Sequence, residues 1–455
     1  MTPEWVKDAV FYQIFPDRFA KSTSVLKPNG LEMWNAPTTV HGYKGGDLVG
    51  VREKLDYLQD LGITALYFCP IFQSASNHRY HTHDYFRVDP LLGGDEAFTQ
   101  LIEDAHRRGI KVVLDGVFNH SSRGFFQFND ILENGRSSAY LDWFTVNEFP
   151  PNAYDHERPA GYAAWWGLHA LPKFNVHNPQ AREYLMSIAE YWIRRGADGW
   201  RLDVAEEISA PGFWEEFRSR VKAINPEAYI VGEIWPMARD WLRGDRFDAT
   251  MNYPLTEAIL AFLSNGAIEP KLVENKGYNP AHPLDARGVA ARISDLLQAY
   301  PWDVTLVQMN LLDSHDTSRA LTILNNRVDR LKLGALLMFC LPGAPCVYYG
   351  DEVGIEGGMP DYEARRTFPW DHPERWNTDL RSHYQALIRI RKDNASLRRG
   401  GVHILHAERD VLVYGRWFNE DRSIVAVNRA DMPVTLTVPL GDLNNGVSGW
   451  DSIFG

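Results

Sequence analysis

The chain has 455 residues, which is long for a single simple domain and predicts two or three parts around a large shared core. The formal net charge is −12 and no clustered basic face is visible, so nucleic acid is not an expected partner. Aromatic residues make up 13% of the chain; most should pack in the core, and some could line a groove for a ligand with flat apolar faces, such as a sugar.

The cysteines and the N-terminus bear on location. Cys69, Cys340 and Cys346 show no C-x-x-C spacing, so buried free thiols are expected rather than a disulfide framework or a zinc site. The N-terminal segment lacks the charged-then-apolar pattern of a secretory signal, and no apolar run approaches the length of a membrane span. We therefore expect a soluble, cytoplasmic protein with no membrane partner.

In chain order, apolar strand-like runs alternate with segments of helical periodicity. The apolar runs lie at residues 10–16, 65–70, 111–117, 197–204, 228–235, 247–253, 305–313 and 346–350. The helical segments lie at residues 51–61, 96–108, 180–195, 214–223, 256–263, 289–300, 331–339 and 380–392. Eight strands alternating with helices predict an α/β fold of the (β/α)8 TIM-barrel type rather than an open doubly wound sheet.

Two regions depart from this alternation. Residues 119–177 are rich in aromatic residues, Asn and Gly without a clear period, and we interpret them as a small domain inserted after the third strand. Residues 398–455 carry period-two runs between residues 402 and 438, which predict a short C-terminal antiparallel β domain. The barrel is thus assigned to residues 1–118 and 178–397.

The loop at residues 76–85 contains three histidines, two tyrosines and an acid. Histidines at such short spacing raise the possibility of a metal site, but a second well-spaced ligand cluster is missing from the sequence. A loop that contacts a ligand is the favoured interpretation.

Acidic residues end three of the strand-like runs. Arg201 and Asp203 are two residues apart on one run and therefore face the same way. An adjacent guanidinium lowers the pKa of a carboxyl group, as a carboxylate nucleophile requires, although a structural ion pair would show the same pattern. Glu233 and Asp316 end two later runs. Together they predict one site at the C-terminal face of the barrel.

Four motifs now identify a family. They are D-G-V-F-N-H at residues 115–120, D-G-W-R-L-D-V at 198–204, G-E-I-W at 232–235 and S-H-D at 314–316. In this order and spacing the sequence resembles the α-amylase family, glycoside hydrolase family 13. The runs L-P-K-F-N at 171–175, W-W-G at 165–167 and W-L-R-G-D-R-F-D at 241–248 are similar to those of its neopullulanase, cyclomaltodextrinase and maltogenic amylase group.

The resemblance implies specific roles. Asp203 would be the nucleophile, Glu233 the general acid and base, and Asp316 the acid that grips sugar hydroxyls and stabilises the transition state. Further residues would surround the reacting glucose or its neighbour, with a tyrosine as stacking platform: Tyr80, Asp115, His120, Arg201, His315, Asp361 and Arg365. Repulsion from Asp316 should raise the pKa of Glu233, and retention of anomeric configuration is expected.

No cofactor or metal ligand is assigned, although Asn119 is similar to a ligand of one family calcium site. Residues 21–23 stand where some relatives have carboxylate calcium ligands, so calcium is not expected there. The first barrel strand begins near residue 10, without the large N-terminal domain common in the group, and a monomer or weak homodimer is expected. Glu206 lies where the group often has Asn, which bears on the sugar subsites.

Three functional hypotheses follow. The first is a hydrolase of α-1,4 bonds, with α-1,6 bonds as a further class, in cyclodextrins, pullulan and maltooligosaccharides. The second is a glucan transferase on the same site, in which a sugar rather than water resolves the covalent intermediate. The third is a non-catalytic carbohydrate-binding relative, which the presence of all three acids disfavours.

Overall fold

The computed structural model describes residues 2–274, 277–444 and 449–454. Its strands, in chain order, are β1 Phe11–Ile14, β2 Ala65–Phe68, β3 Phe72–Ser74, β4 Thr82–Val88, β5 Lys111–Gly116, β6 Gly199–Leu202, β7 Tyr229–Gly232, β8 Ala249–Thr250, β9 Met309–Asn310, β10 Ala344–Tyr348, β11 Gly401–Glu408, β12 Val411–Phe418 and β13 Asp421–Asn428. Its helices are α1 Glu4–Asp8, α2 Pro16–Phe19, α3 Leu48–Glu53, α4 Leu55–Leu61, α5 Gly94–Arg107, α6 Phe126–Asn134, α7 Pro179–Arg194, α8 Phe213–Ile224, α9 Tyr253–Ser264, α10 Ala286–Ala299, α11 Trp302–Thr305, α12 Ala320–Ile323, α13 Val328–Cys340, α14 Thr378–Asp393 and α15 Ala395–Arg399.

Eight parallel strands form the main sheet in the order β8-β7-β6-β5-β2-β1-β10-β9. A parallel bridge between Met251, just after β8, and Met309 on β9 joins the two ends of this order. The sheet therefore closes into a barrel, and the predicted (β/α)8 fold is confirmed.

Side-chain alternation along the strands divides the core into two layers. Tyr67, Val113 and Met309 belong to a buried cluster that fills the barrel interior. Their neighbours Leu66 and Val112 belong to the larger cluster between the strands and the surrounding helices. Both faces of each strand are thus buried, which explains why the strands appear as continuous apolar runs in the sequence.

Helix starts in the barrel follow from local sequence. Asn178 precedes α7, and its side chain accepts hydrogen bonds from the backbone N–H groups of residues 180 and 181, with Pro179 at the first helical position. Asp47, Asp285 and Asn377 cap α3, α10 and α14 in the same way. These caps define the residue at which each loop ends and the following helix begins.

Three details differ from the sequence-based prediction. The histidine-containing loop is partly regular, because β4 pairs antiparallel with β3 in a hairpin beside the barrel. Residues 126–134 of the inserted region form helix α6, which had no predicted counterpart. Of the run at residues 305–313, only β9 is a strand. Helix α11 ends at Thr305, so the chain joins the barrel sheet only at residue 309.

The C-terminal region is a three-stranded antiparallel sheet in the order β11-β12-β13. Its last strand ends at Asn428, ten residues before the end of the period-two pattern at residue 438. The C-terminal β domain of the predicted fold is confirmed, while the boundaries proposed for the three regions stay predictions.

The three cysteines are buried free thiols. Over the described ranges, no helix combines the length and the apolar character needed to cross a membrane.

Candidate active site

Three carboxylates converge on one guanidinium at the C-terminal ends of the barrel strands. Asp203 follows β6 directly, and its Oδ1 lies 3.0 Å from Nη1 of Arg201. Glu233 follows β7, and its Oε2 lies 2.9 Å from Nη2 of the same side chain. Asp316, beyond β9, places its Oδ2 3.9 Å from Nη2. Because Arg201 is completely buried, it fixes the two closest acids beside each other.

Asp115, at the end of β5, orients the guanidinium from below. Its Oδ1 lies 3.0 Å from Nη1 of Arg201. Its Oδ2 accepts hydrogen bonds from the hydroxyls of Tyr67 at 2.9 Å and Tyr80 at 2.8 Å. Asp115 is therefore a buried anchor for the cation and for the tyrosine ring above it, which explains why an acid stands at this strand end.

The imidazole of His315 holds the same tyrosine from the other side. The rings of His315 and Tyr80 are parallel to within 3°, with centroids 5.4 Å apart. The amide nitrogen of Gln13 lies 2.8 Å from Nδ1 of His315, so Nδ1 accepts and Nε2 carries the proton. That Nε2 lies 2.5 Å from the Tyr80 hydroxyl and 3.1 Å from Oδ2 of Asp316.

His120, just beyond β5, presents an open nitrogen to the cleft. Its Nε2 is buried, with no hydrogen-bond partner among the described residues. Its ring stacks on Trp165, with centroids 5.3 Å apart. Burial lowers the pKa of His120 to about 3, so the ring is neutral at working pH. A neutral imidazole nitrogen in this position can hydrogen-bond a sugar hydroxyl.

Asp361 and Arg365 form a second ion pair at the rim. Nη2 of Arg365 lies 2.6 Å from Oδ2 of Asp361 and 3.3 Å from Oδ1 of Asp316. Its Nε donates to the carbonyl oxygen of His315 at 2.7 Å. Arg365 therefore connects the rim pair to the central acids.

Burial and mutual repulsion set the pKa values of the acids. Burial, with a contribution from the charge of Asp316, raises the pKa of Glu233 to about 7, although Arg201 opposes the shift. The predicted effect of Asp316 on this pKa is confirmed. The pKa of Asp203 also lies well above its ordinary value, because burial and the charges of Glu233 and Asp115 outweigh Arg201. The predicted lowering by Arg201 is real in sign but is not the dominant effect.

A cleft of about 650 Å³ opens above these residues. Seven of the ten residues predicted for the site line it: Tyr80, His120, Asp203, Glu233, Asp316, Asp361 and Arg365. The other three, Asp115, Arg201 and His315, lie directly beneath as the buried floor. The structure thus brings all ten into one site, although their roles there stay a proposal.

Sequence reasoning missed the groups that hold Glu233. Trp235 donates from Nε1 to Oε1 of Glu233 at 3.1 Å, and its ring stacks on Tyr253 with centroids 3.7 Å apart. The backbone N–H of Val204 donates to Oε2 at 2.8 Å, from a left-handed conformation with φ +38° that is unusual for a β-branched residue. Trp235 lies inside the G-E-I-W motif, whereas no sequence signal marks the strained backbone of Val204.

The cleft wall on the inserted region is aromatic. Trp166 stacks on Trp165, with centroids 4.5 Å apart, and its side chain is 78% exposed. Its φ of +50° is also left-handed. A tryptophan held exposed in a strained conformation at the mouth of a cleft is suited to contact a ligand.

A deep cleft with paired acids at the strand ends of a (β/α)8 barrel defines the class, and the sequence match defines the family. The family model described as "Alpha amylase, catalytic domain" matches residues 13–367, so the chain belongs to the α-amylase family. It is a glycoside hydrolase.

Its relatives narrow the group. A cyclomaltodextrinase of Geobacillus thermopakistaniensis (strain MAS1) is 43% identical over 442 residues, 96% of this chain and 71% of the relative. Neopullulanase 2 of Thermoactinomyces vulgaris is 43% identical over 91% of this chain and 67% of the relative. The acarbose-soaked crystal structure of a Nostoc punctiforme debranching enzyme matches with a TM-score of 0.92 and 48% identity, covering 100% of this chain and 96% of that one. The resemblance to the neopullulanase and cyclomaltodextrinase group is confirmed.

The pKa of Glu233 predicts a limit on alkaline activity. If Glu233 donates the proton, activity requires its protonated form, so kcat/KM on maltotriose should fall as pH rises through about 7. Trp235→Phe removes an N–H donor that stabilises the charged carboxylate, so this limb should move to higher pH. Initial rates between pH 5 and 9 measure both. A profile that stays level to pH 9, or a limb that Trp235→Phe moves to lower pH, would contradict the assignment.

Proposed function

We propose that this chain is a retaining α-glucoside hydrolase that cleaves α-1,4 and also α-1,6 linkages in cyclodextrins, pullulan and maltooligosaccharides. Support for the substrate class comes from relatives named cyclomaltodextrinase and neopullulanase. Support for α-1,6 bonds comes from the debranching enzyme of nearly the same length.

The observation that carries the proposal is that Asp203 and Glu233 form ion pairs with the two terminal nitrogens of one buried guanidinium, that of Arg201, at 3.0 and 2.9 Å. Retaining glycosidases need their two carboxyl groups only about 5–5.5 Å apart. Contact with the two terminal nitrogens of one guanidinium keeps Asp203 and Glu233 close together, as this mechanism requires. The convergence of all three acids disfavours a non-catalytic carbohydrate-binding protein.

In the first step, a carboxylate oxygen of Asp203 attacks the anomeric carbon while Glu233 transfers its proton to the glycosidic oxygen. The carbon–oxygen bond to the leaving sugar breaks, that sugar departs as an alcohol, and a covalent glycosyl ester forms on Asp203. Asp316, the most exposed of the three acids at 25% of its side chain, is placed to bind ring hydroxyls as positive charge develops.

In the second step, Glu233 is a carboxylate and acts as a base. It takes a proton from water, whose oxygen attacks the same anomeric carbon and releases Asp203. Both catalytic groups regain their starting protonation states. The hydrogen bonds that Glu233 accepts from Trp235 and Val204 hold its carboxyl group in one place through both steps.

Two displacements on opposite faces predict net retention. Proton NMR recorded in the first minutes of maltotriose hydrolysis should show the α-anomer of the newly formed reducing end ahead of mutarotation. Initial appearance of the β-anomer would indicate a single displacement by water and would exclude Asp203 as a nucleophile.

The alternative is a 4-α-glucanotransferase on the same site. Glu206 and Glu207 line the cleft close after the nucleophile, and Lys173 pairs with Glu207 at 2.8 Å. Such polar groups could bind an acceptor sugar that competes with water for the glycosyl ester.

Chromatography of the products from β-cyclodextrin, pullulan, starch and maltotriose tests the hydrolase and transferase hypotheses, with Glu233→Gln as the blank. Rapid opening of β-cyclodextrin and release of panose or maltose from pullulan would support the hydrolase. Products longer than maltotriose at high maltotriose concentration would support the transferase. A preference for starch would leave the chemistry standing but contradict the proposed substrate class.

We further propose that the mechanism needs no cofactor. Asn119, which resembles a calcium ligand, has a buried Oδ1 with no hydrogen-bond partner among the described residues. Within the same described ranges, no group of three or more His, Cys, Asp or Glu side chains is placed to hold a metal ion. Calcium needs six to eight oxygens, so no calcium site is assigned to Asn119, and no step of the mechanism depends on the ion. A cytoplasmic location and a monomer or weak homodimer stay predictions.

A further inference from the structure

A second pocket, of about 360 Å³, lies at the opposite end of the barrel from the acids. Its lining comes from segments that precede barrel strands, with Lys7, Trp302 and Asp303, from Arg399 at the end of α15, and from the C-terminal sheet, with Gly401 and Trp417. Lys7 precedes β1 and Asp303 precedes β9, whereas the acids lie beyond the other ends of their strands. The pocket, which we call the basal pocket, is therefore separated from the active-site cleft by the length of the barrel.

Two of the residues that line the basal pocket are partly exposed tryptophans. Trp302, at the start of α11, is 38% exposed, and Trp417, near the end of β12, is 41% exposed. The indole of Trp417 lies against the backbone of Gly401 on the paired strand, since a Cβ there would be 2.5 Å from its Cζ2. The ring therefore packs on the backbone of Gly401 and still leaves part of its surface exposed to contact a ligand.

The charges around the basal pocket are already balanced. Nζ of Lys7 lies 2.6 Å from Glu4 and 3.1 Å from Asp303. Arg399 contacts Glu4 at 2.9 Å and Asp8 at 2.6 Å. With both cations paired, the pocket has no charge excess that would favour an anionic ligand.

The polar groups at the rim suit a hydroxylated neutral ligand. The Asp303 side chain is 71% exposed. Asn419, exposed in the turn between β12 and β13, supplies an amide with both donor and acceptor atoms. Flat apolar faces beside carboxylate and amide groups match the two sides of a sugar ring. The volume also falls within the roughly 300–1,000 Å³ of small-ligand sites.

We propose that the basal pocket is a non-catalytic binding site for an α-glucan chain, with Trp302 and Trp417 as the stacking surfaces. This inference rests on the proposed function for its ligand class and goes beyond it in assigning a second, remote site. Because the two sites lie at opposite ends of the barrel, a maltotriose held in the cleft cannot also reach the pocket. The pocket should therefore affect long glucans and not short ones.

The test compares the double variant Trp302→Ala/Trp417→Ala with the unaltered chain in native gels containing glycogen. The double variant should bind glycogen about fivefold or more weakly, the effect of losing central aromatic anchors. Its kcat/KM on maltotriose should be unchanged. Titration of β-cyclodextrin into a Glu233→Gln background by calorimetry should show two sites, reduced to one by the double variant.

Three controls separate the outcomes. Trp450→Ala removes a tryptophan that is also 38% exposed but lies outside the pocket, and it should leave glycogen retardation unchanged. Trp417→Phe, which keeps a flat ring, should recover most of the binding when Trp302 is intact. Melting temperatures of all variants exclude loss of folding as the cause.

Unchanged glycogen retardation in the folded double variant would overturn the proposal. So would a change in its sedimentation coefficient without a change in retardation, because the pocket would then be an interface between copies of the chain. Failure of the proposed function is distinguishable, since the unaltered chain would then hydrolyse none of the α-glucans tested.

Discussion

Replacing Asp203 by Asn is expected to lower kcat on maltotriose by about four orders of magnitude or more while the protein stays folded. The amide keeps the shape of the side chain but cannot form a glycosyl ester. It also keeps an oxygen that can face Nη1 of Arg201, now 3.0 Å from the carboxylate. Glu233→Gln should cause a comparable loss on maltotriose, because no group then protonates the leaving sugar.

Loss of activity alone does not distinguish the nucleophile from the general acid and base, but rescue by azide does. With α-maltosyl fluoride, whose leaving group needs no proton, Asp203→Gly with azide should yield β-maltosyl azide, because azide attacks once from the face that Asp203 occupied. Glu233→Ala with azide should yield α-maltosyl azide, because azide then resolves the ester on Asp203 from the other face. Reversed anomers in the two variants would exchange the roles of Asp203 and Glu233.

Asp361→Asn is the matched control for the acid-to-amide change. Asp361 lies at the rim, paired with Arg365 at 2.6 Å, and lines the cleft without contacting Arg201 within the ion-pair distance. If Asp361 binds the neighbouring sugar, as we propose, its replacement should raise KM more than it lowers kcat. A loss of kcat as large as that of Asp203→Asn would mean that amide substitution disrupts the whole cleft.

The fold was predictable because barrel strands leave a strong pattern. The runs at residues 10–16 and 111–117 contain β1 and β5, since burial on both faces favours apolar residues at most positions of a strand. The lengths of the strands were less predictable. β8 and β9 pair over only two residues each, because pairing depends on how neighbouring strands meet and not on the apolar run itself.

Site residues were predictable where a charged or polar side chain stands at the end of an apolar run or inside a family motif. Acids at strand ends and histidines in motifs were found, and the structure brings them together. Gln13 was not found, because it sits in the apolar run of β1 and its contact with His315 spans 302 positions of sequence. The direction of the Asp203 pKa shift was not predictable, because the sequence shows only the neighbouring Arg201. The burial and the other acids that raise this pKa come near Asp203 only in the folded chain.

Arg201→Met is expected to lower the free energy of unfolding by about 3–5 kcal/mol, because it leaves buried carboxylates without their cation. Asp115, Asp203 and Glu233 all have their pKa values lowered by Arg201, so its removal raises these values further. A carboxyl group with a raised folded-state pKa contributes stability below its unfolded pKa and loses it as pH rises. The destabilisation relative to the unaltered chain should therefore be larger at pH 8 than at pH 5, as measured by denaturant unfolding.

Arg391→Met is the matched comparison for this pH dependence. Arg391, on helix α14, is also buried, but its guanidinium donates to the backbone carbonyls of residues 7, 339, 343 and 397 rather than to carboxylates. Burial lowers its pKa to about 9, so it is charged at both pH values. Its loss should cost similar stability at pH 5 and pH 8. The pH-dependent part of the destabilisation by Arg201→Met can come only from titration of the cleft acids. An equal loss of unfolding free energy at pH 5 and pH 8 for Arg201→Met would therefore contradict the stabilisation of these carboxylates by Arg201.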